Sequence, residues 1–559
     1  MIDILSHLNP TQQEAVTFEG GPLLIMAGAG SGKTRALTHR AAWLIQAKAL
    51  PPESILLLTF TNKAAGEMKE RIKKLLNTNS QLPITNFQFA GTFHSFCAKI
   101  LRVDGHHRGI PAGFLIYDED DQIETVKQVL KNLNIATNNF APASVLTTIS
   151  QAKNELLSPL EYPQYARGYF QETVARIYLA YQKLLKDTDA LDFDDLLGET
   201  VKLFQNHPPV LQQYQQRFRH ILVDEWQDTN KAQYLLTRFL TQTHRHLTVV
   251  GDCSQSIYGW RGADFKNVLF LQKDFPELKT INFEQNYRST QTILNAAWNV
   301  IQHNQSHPIL KLWTNNPNGG KIKIYQAQSE TDEARFIIEA ITGLSYPLDH
   351  YAILYRTNAQ SRVLEEAFLR AGIPYILVGG VKFYARREIK DVLAYLRLLA
   401  NPKDIISLKR IEKVGKNRLR QFLEFTQKND LKNLTTLEVM DSALEATKYL
   451  ELYNPEVEED LRRLENIKEL RSVATEFPNL SEFLENVALV GQDDFPDLTT
   501  GPRVTLMTLH AAKGLEFPIV FMVGMEEGLS PHSRSLMDSS QLEEERRLCY
   551  VGITRAMHQ

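Results

Sequence analysis

Cysteine is scarce in this chain of 559 residues: Cys97, Cys253 and Cys549 lie far apart, and no two stand in a C-x-x-C spacing. That usage argues against a disulfide framework or a zinc site and suits a reducing compartment. Long apolar runs are missing too. No segment approaches the roughly 18 apolar residues that a membrane helix requires. The opening MIDILSHLNP has no basic stretch followed by an apolar core, so no signal peptide is visible. Neither sign of charge dominates, for the formal net charge is −3. That total does not announce a nucleic-acid binder, although a local groove can be basic when the sum is not. A soluble cytoplasmic chain is the expectation. Hydrophobic residues at 43% and charged residues at 23% supply real cores, and the length suits about four domains.

Short apolar runs recur between helical patterns: Pro22–Ala27, Ile55–Phe60, Phe87–Thr92, His220–Glu225, His246–Asp252 and Leu278–Phe283. Strands that alternate with helices imply a parallel sheet whose ligand sits at the strand C-terminal ends. Between about Gly109 and Leu197 the strands vanish and the sequence turns helical, which reads as an insertion within one α/β domain. A second set of predicted strands follows at Lys321–Ala327, Tyr351–Arg356, Pro374–Gly380, Arg503–His510 and Phe517–Met525. It is interrupted by another helical block. The predicted division is therefore 1–108 and 197–280 for a first α/β domain with its insertion at 109–196, and 281–387 and 499–559 for a second with its insertion at 388–498.

One segment carries more chemistry than any other. AGAGSGKT at Ala27–Thr34 follows the apolar run Leu23–Met26, so it reads as a strand, a glycine-rich loop and a helix. That geometry cradles nucleotide phosphates: Gly28, Gly30 and Gly32 let backbone N–H groups turn inward, with Ala29 and Ser31 between them. Lys33 can reach the β- and γ-phosphates, and the Thr34 hydroxyl can ligate Mg²⁺. The strict pattern begins with Gly, where this chain has Ala27.

Downstream, ILVDEWQDTN at Ile221–Asn230 is an apolar strand ending in two adjacent carboxylates. Asp224 is the candidate for holding Mg²⁺, and Glu225 the candidate for orienting and deprotonating an attacking water. In Val249–Ala263 a strand ends at Asp252, and the loop after it supplies Gln255, Tyr258, Trp260 and Arg261. Gln255 is placed to report the state of a γ-phosphate. Aromatics on such a loop are stacking platforms for unpaired bases, each worth about 1–3 kcal/mol.

The ordered set of these segments resembles the UvrD/Rep/PcrA family of superfamily I DNA helicases, over nearly the whole chain. The resemblance rests on LNPTQQEAV (Leu8–Val16), AGAGSGKTR (Ala27–Arg35), LTFTNKAAGEM (Leu58–Met68), GTFHSF (Gly91–Phe96), DEWQDTN (Asp224–Asn230), GDCSQSIYGWRGA (Gly251–Ala263) and NYRS (Asn286–Ser289). TLHAAKGLEF (Thr508–Phe517) and EEERRLCYVGITRA (Glu543–Ala556) extend it. It implies an α/β fold of two RecA-like motor domains, each with a mainly helical insertion. It also implies ATP with Mg²⁺, and 3′→5′ movement on single-stranded DNA up to single/double-strand junctions, in repair or replication with accessory proteins. By the same resemblance Gln12 reads adenine, Arg35 and Tyr287 sandwich the base, and Glu516 contacts the ribose. Arg288 and Arg555 act as arginine fingers. Phe60, Thr61, Thr92, His94, Tyr258, Trp260, Arg261 and His510 form the single-strand path.

Some positions depart from the family pattern. Trp226 stands where Phe or Tyr is usual, and the second insertion is shorter, with only KVGKNRLR (Lys413–Arg420) resembling the segment that grips duplex backbone. The family continues into a further strand after its last motor motif, whereas this sequence stops at Gln559; the expectation is either a truncated sequence or a second motor domain without an edge strand, which would weaken the placement of Arg555. Rival readings are a non-catalytic DNA-binding module and a DNA-stimulated ATPase that does not unwind by itself.

Overall fold

The computed structural model describes residues 4–77, 90–136, 140–259, 262–344, 346–357, 360–378, 386–428, 431, 434–453, 477–490 and 501–559, with nine positions between 463 and 475. The chain forms two compact units. One gathers Met1–Thr92, Gln213–Gly380 and Phe495–Gln559, and the other Phe93–Gln212 and Val381–Asp494.

The first unit holds two larger parallel sheets and a short parallel pairing of Trp313–Thr314 with Gln285–Asn286. In one, six strands run in the order Ala90–Thr92, Ile55–Thr59, His220–Val223, Leu247–Gly251, Leu23–Ala27 and Lys279–Phe283. Every pairing is parallel. LLIMA, ILLLT and LTVVG are buried along their whole length, as strands covered on both faces must be. The edge strand Lys279–Phe283 instead alternates, burying Ile281 and Phe283. All six coincide with expected apolar runs. The second sheet runs Tyr375–Leu377, Val504–Thr508, Tyr351–Tyr355 and Ile519–Met522, again all parallel. One of its faces packs Ala352, Leu354 and Met507 with Leu548 and Val551, and Ile257 from the loop after the Leu247–Gly251 strand enters the same cluster.

Two expectations need correction. Lys321–Ala327 forms no strand: among the described residues nothing pairs with its backbone, and Ile324 is 95% exposed. Alternation marks a segment able to be a strand, but pairing makes one, and composition does not reveal the partner. Within 109–196 the strands do not vanish entirely. Leu115–Tyr117 and Ala190–Asp192 pair in parallel, each too short to leave a periodic signature.

The second unit is otherwise helical. Its first block packs Val126, Ile149, Val174 and Tyr181 in one core, where Lys153 is buried between Asp192 (2.6 Å) and Asp195 (2.8 Å). Its second block packs Val392, Leu396, Met440 and Phe483. There KVGKNRLR closes the helix Ile405–Val414, turns at Gly415 and opens the helix Lys416–Lys428. No described helix of the chain is long and apolar enough to cross a membrane.

Histidines crowd the N-terminal edge of the six-stranded sheet. His220 stacks on His246 at 4.4 Å between ring centroids, and His244 lies 5.6 Å from His246. Burial, then neighbouring His246 and Arg40, depresses His220 from 6.5 to about 3. Burial and His246 take His244 to about 4. Below pH 6.5 the unfolded chain therefore takes up protons that the folded chain refuses. Stability carried by these rings is complete above that value and falls as pH drops towards 4. Urea midpoints are expected to fall between pH 7.5 and pH 5, and His220→Asn to flatten that fall; an equal slope in the variant would show that the stack is not responsible.

Candidate nucleotide and nucleic-acid site

The phosphate loop leaves the buried strand Leu23–Ala27, and the helix Lys33–Gln46 begins where it ends. Gly30 and Gly32 have φ of +63° and +85°, conformations that cost a residue with a Cβ. Close approach forbids one as well. A Cβ at Gly30 would lie 2.6 Å from the Asn286 amide nitrogen and 2.8 Å from the Arg288 Cβ. The Ser31 hydroxyl closes the turn on the Gly28 carbonyl at 2.7 Å. Lys33 Nζ is buried and has no hydrogen-bond partner among the described residues. A buried ammonium left unpaired is costly, and a phosphate is the group that would satisfy it. The Thr34 hydroxyl donates to Asp224 at 3.0 Å, so the two expected metal-holding residues already meet.

Asp224 and Glu225 titrate apart. Burial, then the adjoining Glu225, pushes Asp224 up to about 7 against the pull of Lys33. Burial would raise Glu225 as well, but Lys33 and Lys513 hold it down at about 2. Glu225 sits at φ +52°, a strained backbone for a residue with a side chain, and accepts from the Gln227 amide at 2.5 Å. The turn thus aims an ionised carboxylate next to Lys33.

Gln255 joins the two sheets. Its amide donates to Asp252 at 2.7 Å, while its side-chain oxygen receives Arg555 Nη2 at 3.4 Å. Arg555 is 1% exposed and is fixed by the carbonyls of Val551 (2.9 Å) and Leu515 (3.0 Å). Burial and nearby Arg288 lower it to about 9. The expected loosening at Arg555 does not occur: Phe517 N–H donates to its carbonyl, and Met557 N–H donates back to the Phe517 carbonyl, each at 2.9 Å. Arg288 descends from the NYRS turn. Asn286 pins that turn by donating to the Ala29 carbonyl at 2.7 Å and accepting from the Arg288 and Ser289 N–H groups at 2.8 Å. Arg288 Nε reaches Glu516 at 2.7 Å.

On the nucleoside side, Asn9 and Gln12 form a capping box that opens the helix Pro10–Thr17, a cap of about 1 kcal/mol. Gln12 also donates to the Ser31 carbonyl at 2.9 Å. Tyr287, 47% exposed, accepts from Asn9 at 2.8 Å. Arg35 lies exposed on the first turn of its helix.

The expected DNA residues are only partly gathered. Phe60 and Thr61 follow the Ile55–Thr59 strand, where the Thr61 hydroxyl accepts from the Ala64 N–H at 3.1 Å and caps the next helix. Thr92 ends its strand in the first unit. His94 belongs to the second, on the helix Phe93–Asp104, its ring edge-on to Phe193 at 5.6 Å. Tyr258 donates to the His510 carbonyl at 3.3 Å, which links two expected path residues. Trp260 and Arg261 lie outside the described residues.

Sequence reasoning passed over Lys513, although it stands inside the quoted AAKGLEF. Its ammonium ion-pairs with Asp228, reaches the Gln255 carbonyl at 2.6 Å and lies 4.9 Å from the Tyr258 ring centroid. One buried cation from the second sheet therefore touches the acidic loop, the glutamine and the aromatic of the first. Arg547 makes a parallel link, donating to the Ser256 carbonyl at 2.7 Å.

A phosphate loop beside an acidic strand end, met by Arg288 from the turn after Asn286 and by Arg555 from the side of the second parallel sheet, defines a two-sheet nucleotide-driven motor. The UvrD/REP helicase N-terminal domain model matches residues 8–276, and the UvrD-like helicase C-terminal domain model matches 281–454 and 416–559. The proteins named ATP-dependent DNA helicase PcrA of Staphylococcus aureus and Bacillus subtilis are 45% and 46% identical to this chain. Each alignment spans 99% of this chain and 82% of the relative. The chain belongs to the UvrD/REP helicase family, and its two sheets are the RecA-like motor domains of that family.

Removing Lys513 leaves Asp228, 2% exposed at its side chain, as a buried carboxylate without its cation. Lys513→Met is expected to cost about 3–5 kcal/mol in urea unfolding, and Lys513→Met with Asp228→Leu to recover most of it. A single variant as stable as wild type would refute that pairing.

Proposed function

We propose that this chain is an ATP-dependent DNA helicase that translocates 3′→5′ on single-stranded DNA and opens duplex at single/double-strand junctions. The observations that carry the reading are the meeting of Arg555 with Gln255 and a Lys33 Nζ that is buried without a hydrogen-bond partner among the described residues. Thr34 and Asp224 would hold Mg²⁺, which when bound neutralises phosphate charge. The loop N–H groups of Gly28–Thr34 and Lys33 bind the phosphates, with Ala27 ending the strand that aims them. Gln12, Arg35, Tyr287 and Glu516 serve the nucleoside. Glu225 stays ionised and orients the attacking water. Arg288 and Arg555 bring positive charge to the γ-phosphate where negative charge develops, so hydrolysis depends on how the two sheets close.

The contacts around Gln255 supply a route from that closure to DNA. Lys513 holds the Gln255 carbonyl and lies over the Tyr258 ring, so a shift at the phosphate side would move an aromatic that would stack on a base. Phe60, Thr61, Thr92, His94, Trp260, Arg261 and His510 complete the proposed path. Residues 1–108 with 197–280, and 281–387 with 499–559, would be the motor domains, and 109–196 and 388–498 their insertions. A cytoplasmic role in repair or replication, with accessory proteins, fits this activity.

ATP turnover by the wild-type chain is expected to rise strongly with single-stranded DNA, and Lys33→Ala to abolish that rise. A 3′-tailed duplex should be unwound while a 5′-tailed one is not; the opposite preference would overturn the polarity. DNA binding without stimulated turnover would support the binding-module reading instead. Trp260→Ala should weaken single-strand binding and spare nucleotide binding, and equal loss of both would remove Trp260 from the path.

A further inference from the structure

Arg288 is more constrained than a residue that merely waits for a phosphate. Its backbone is pinned to the phosphate loop through Asn286 and Ala29, and its Cβ lies over Gly30. A guanidinium offers five N–H donors in a rigid planar fork. Here Nε is taken by Glu516 at 2.7 Å and Nη1 by the Thr554 carbonyl at 3.2 Å. Two fixed acceptors set the plane of the fork and leave Nη2 for an incoming anion. The Arg288 side chain is 13% exposed and that of Glu516 53%, so the acid reaches inward from the rim to meet a mostly buried cation.

Glu516 has a second effect on the same group. Arg288 and Arg555 are close enough for their charges to oppose each other, and Thr554, whose carbonyl holds Arg288, is the residue before Arg555. Among the described residues Glu516 is the carboxylate ion-paired to Arg288. It offsets the repulsion that would otherwise swing the exposed end of the fork away from its neighbour. A residue serving the ribose alone would not need that bond.

We infer that Glu516 is a positioning residue for Arg288 as well as a nucleoside-binding acid, so that a single carboxylate links recognition of the sugar to stabilisation of the γ-phosphate. The inference rests on the proposed role of Arg288 at that phosphate. Because Glu516 accepts on Oε2, its other oxygen stays available to a ribose hydroxyl. Sugar contact and orientation of the arginine can therefore occur together.

The test is steady-state ATP hydrolysis at saturating single-stranded DNA, with kcat and KM separated. Glu516→Ala is expected to lower kcat about tenfold or more, the scale of a misplaced catalytic group, as well as raising KM. Glu516→Gln, which keeps an acceptor oxygen, should recover part of the kcat. In the wild type, 2′,3′-dideoxy-ATP should raise KM while leaving kcat within about twofold, because the arginine stays held. Combined with Arg288→Ala, Glu516→Ala should cause no further loss of kcat. The inference is overturned if Glu516→Ala changes KM alone, or if the two losses multiply in the double variant. A wild-type chain without DNA-stimulated turnover would overturn the underlying role of Arg288, a distinct failure that takes the inference with it.

Discussion

Everything in the first unit turns on the contact that joins Gln255 to two sheets at once. Asp252 holds its amide from the sheet that carries the phosphate loop, and Arg555 meets its oxygen from the other. Lys513 fastens its backbone carbonyl. Buried hydrogen bonds to charged groups are worth about 1.5–3 kcal/mol each, and leaving one unmade costs a comparable amount. Arg555 and Gln255 are both almost fully buried, so neither can turn to solvent for a substitute partner. The relative position of the two sheets is thereby tied to the atoms around the phosphate loop.

That tie gives the acidic strand end its electrostatic character. Lys33 comes from the loop and Lys513 from the second sheet, and together they keep Glu225 ionised in a site whose burial alone would protonate it. Asp224, one residue earlier, is pushed the opposite way. Two neighbouring carboxylates thus differ in proton affinity: burial and the Glu225 charge raise Asp224, while Lys33 and Lys513 keep Glu225 ionised. Withdrawing the second sheet would remove Lys513 and Arg555 together. Charge at the site therefore depends on domain position.

Much of this was legible in the residues. The central strands of the first sheet announced themselves as apolar runs, since a parallel strand covered on both faces cannot hide its composition, and the edge strand Lys279–Phe283 showed through its alternation. The phosphate loop was legible because glycine at positive φ and lysine at its end leave few other uses. The pairing of Thr34 with Asp224 followed from what a phosphate site needs. Lys513 was not legible, because a lysine in AAKGLEF has no local sign of burial; its partners Asp228 and Gln255 come from a distant part of the chain. Likewise Lys321–Ala327 alternates as a strand would, but only the fold decides whether a partner lies beside it. The short strands Leu115–Tyr117 and Ala190–Asp192 have three residues each, below what periodicity can register.

The central claim is that the second sheet takes part in the chemistry of a nucleotide held by the first. The most direct measurement is single-turnover ATP hydrolysis by Arg555→Ala at saturating single-stranded DNA, with nucleotide affinity measured on the same protein. An arginine that stabilises transition-state charge is worth about 10³–10⁵ in rate, so hydrolysis should fall by at least a hundredfold while affinity changes only a few-fold. Unchanged hydrolysis in a folded, nucleotide-bound variant would contradict the claim and reduce the Arg555–Gln255 contact to packing between the sheets.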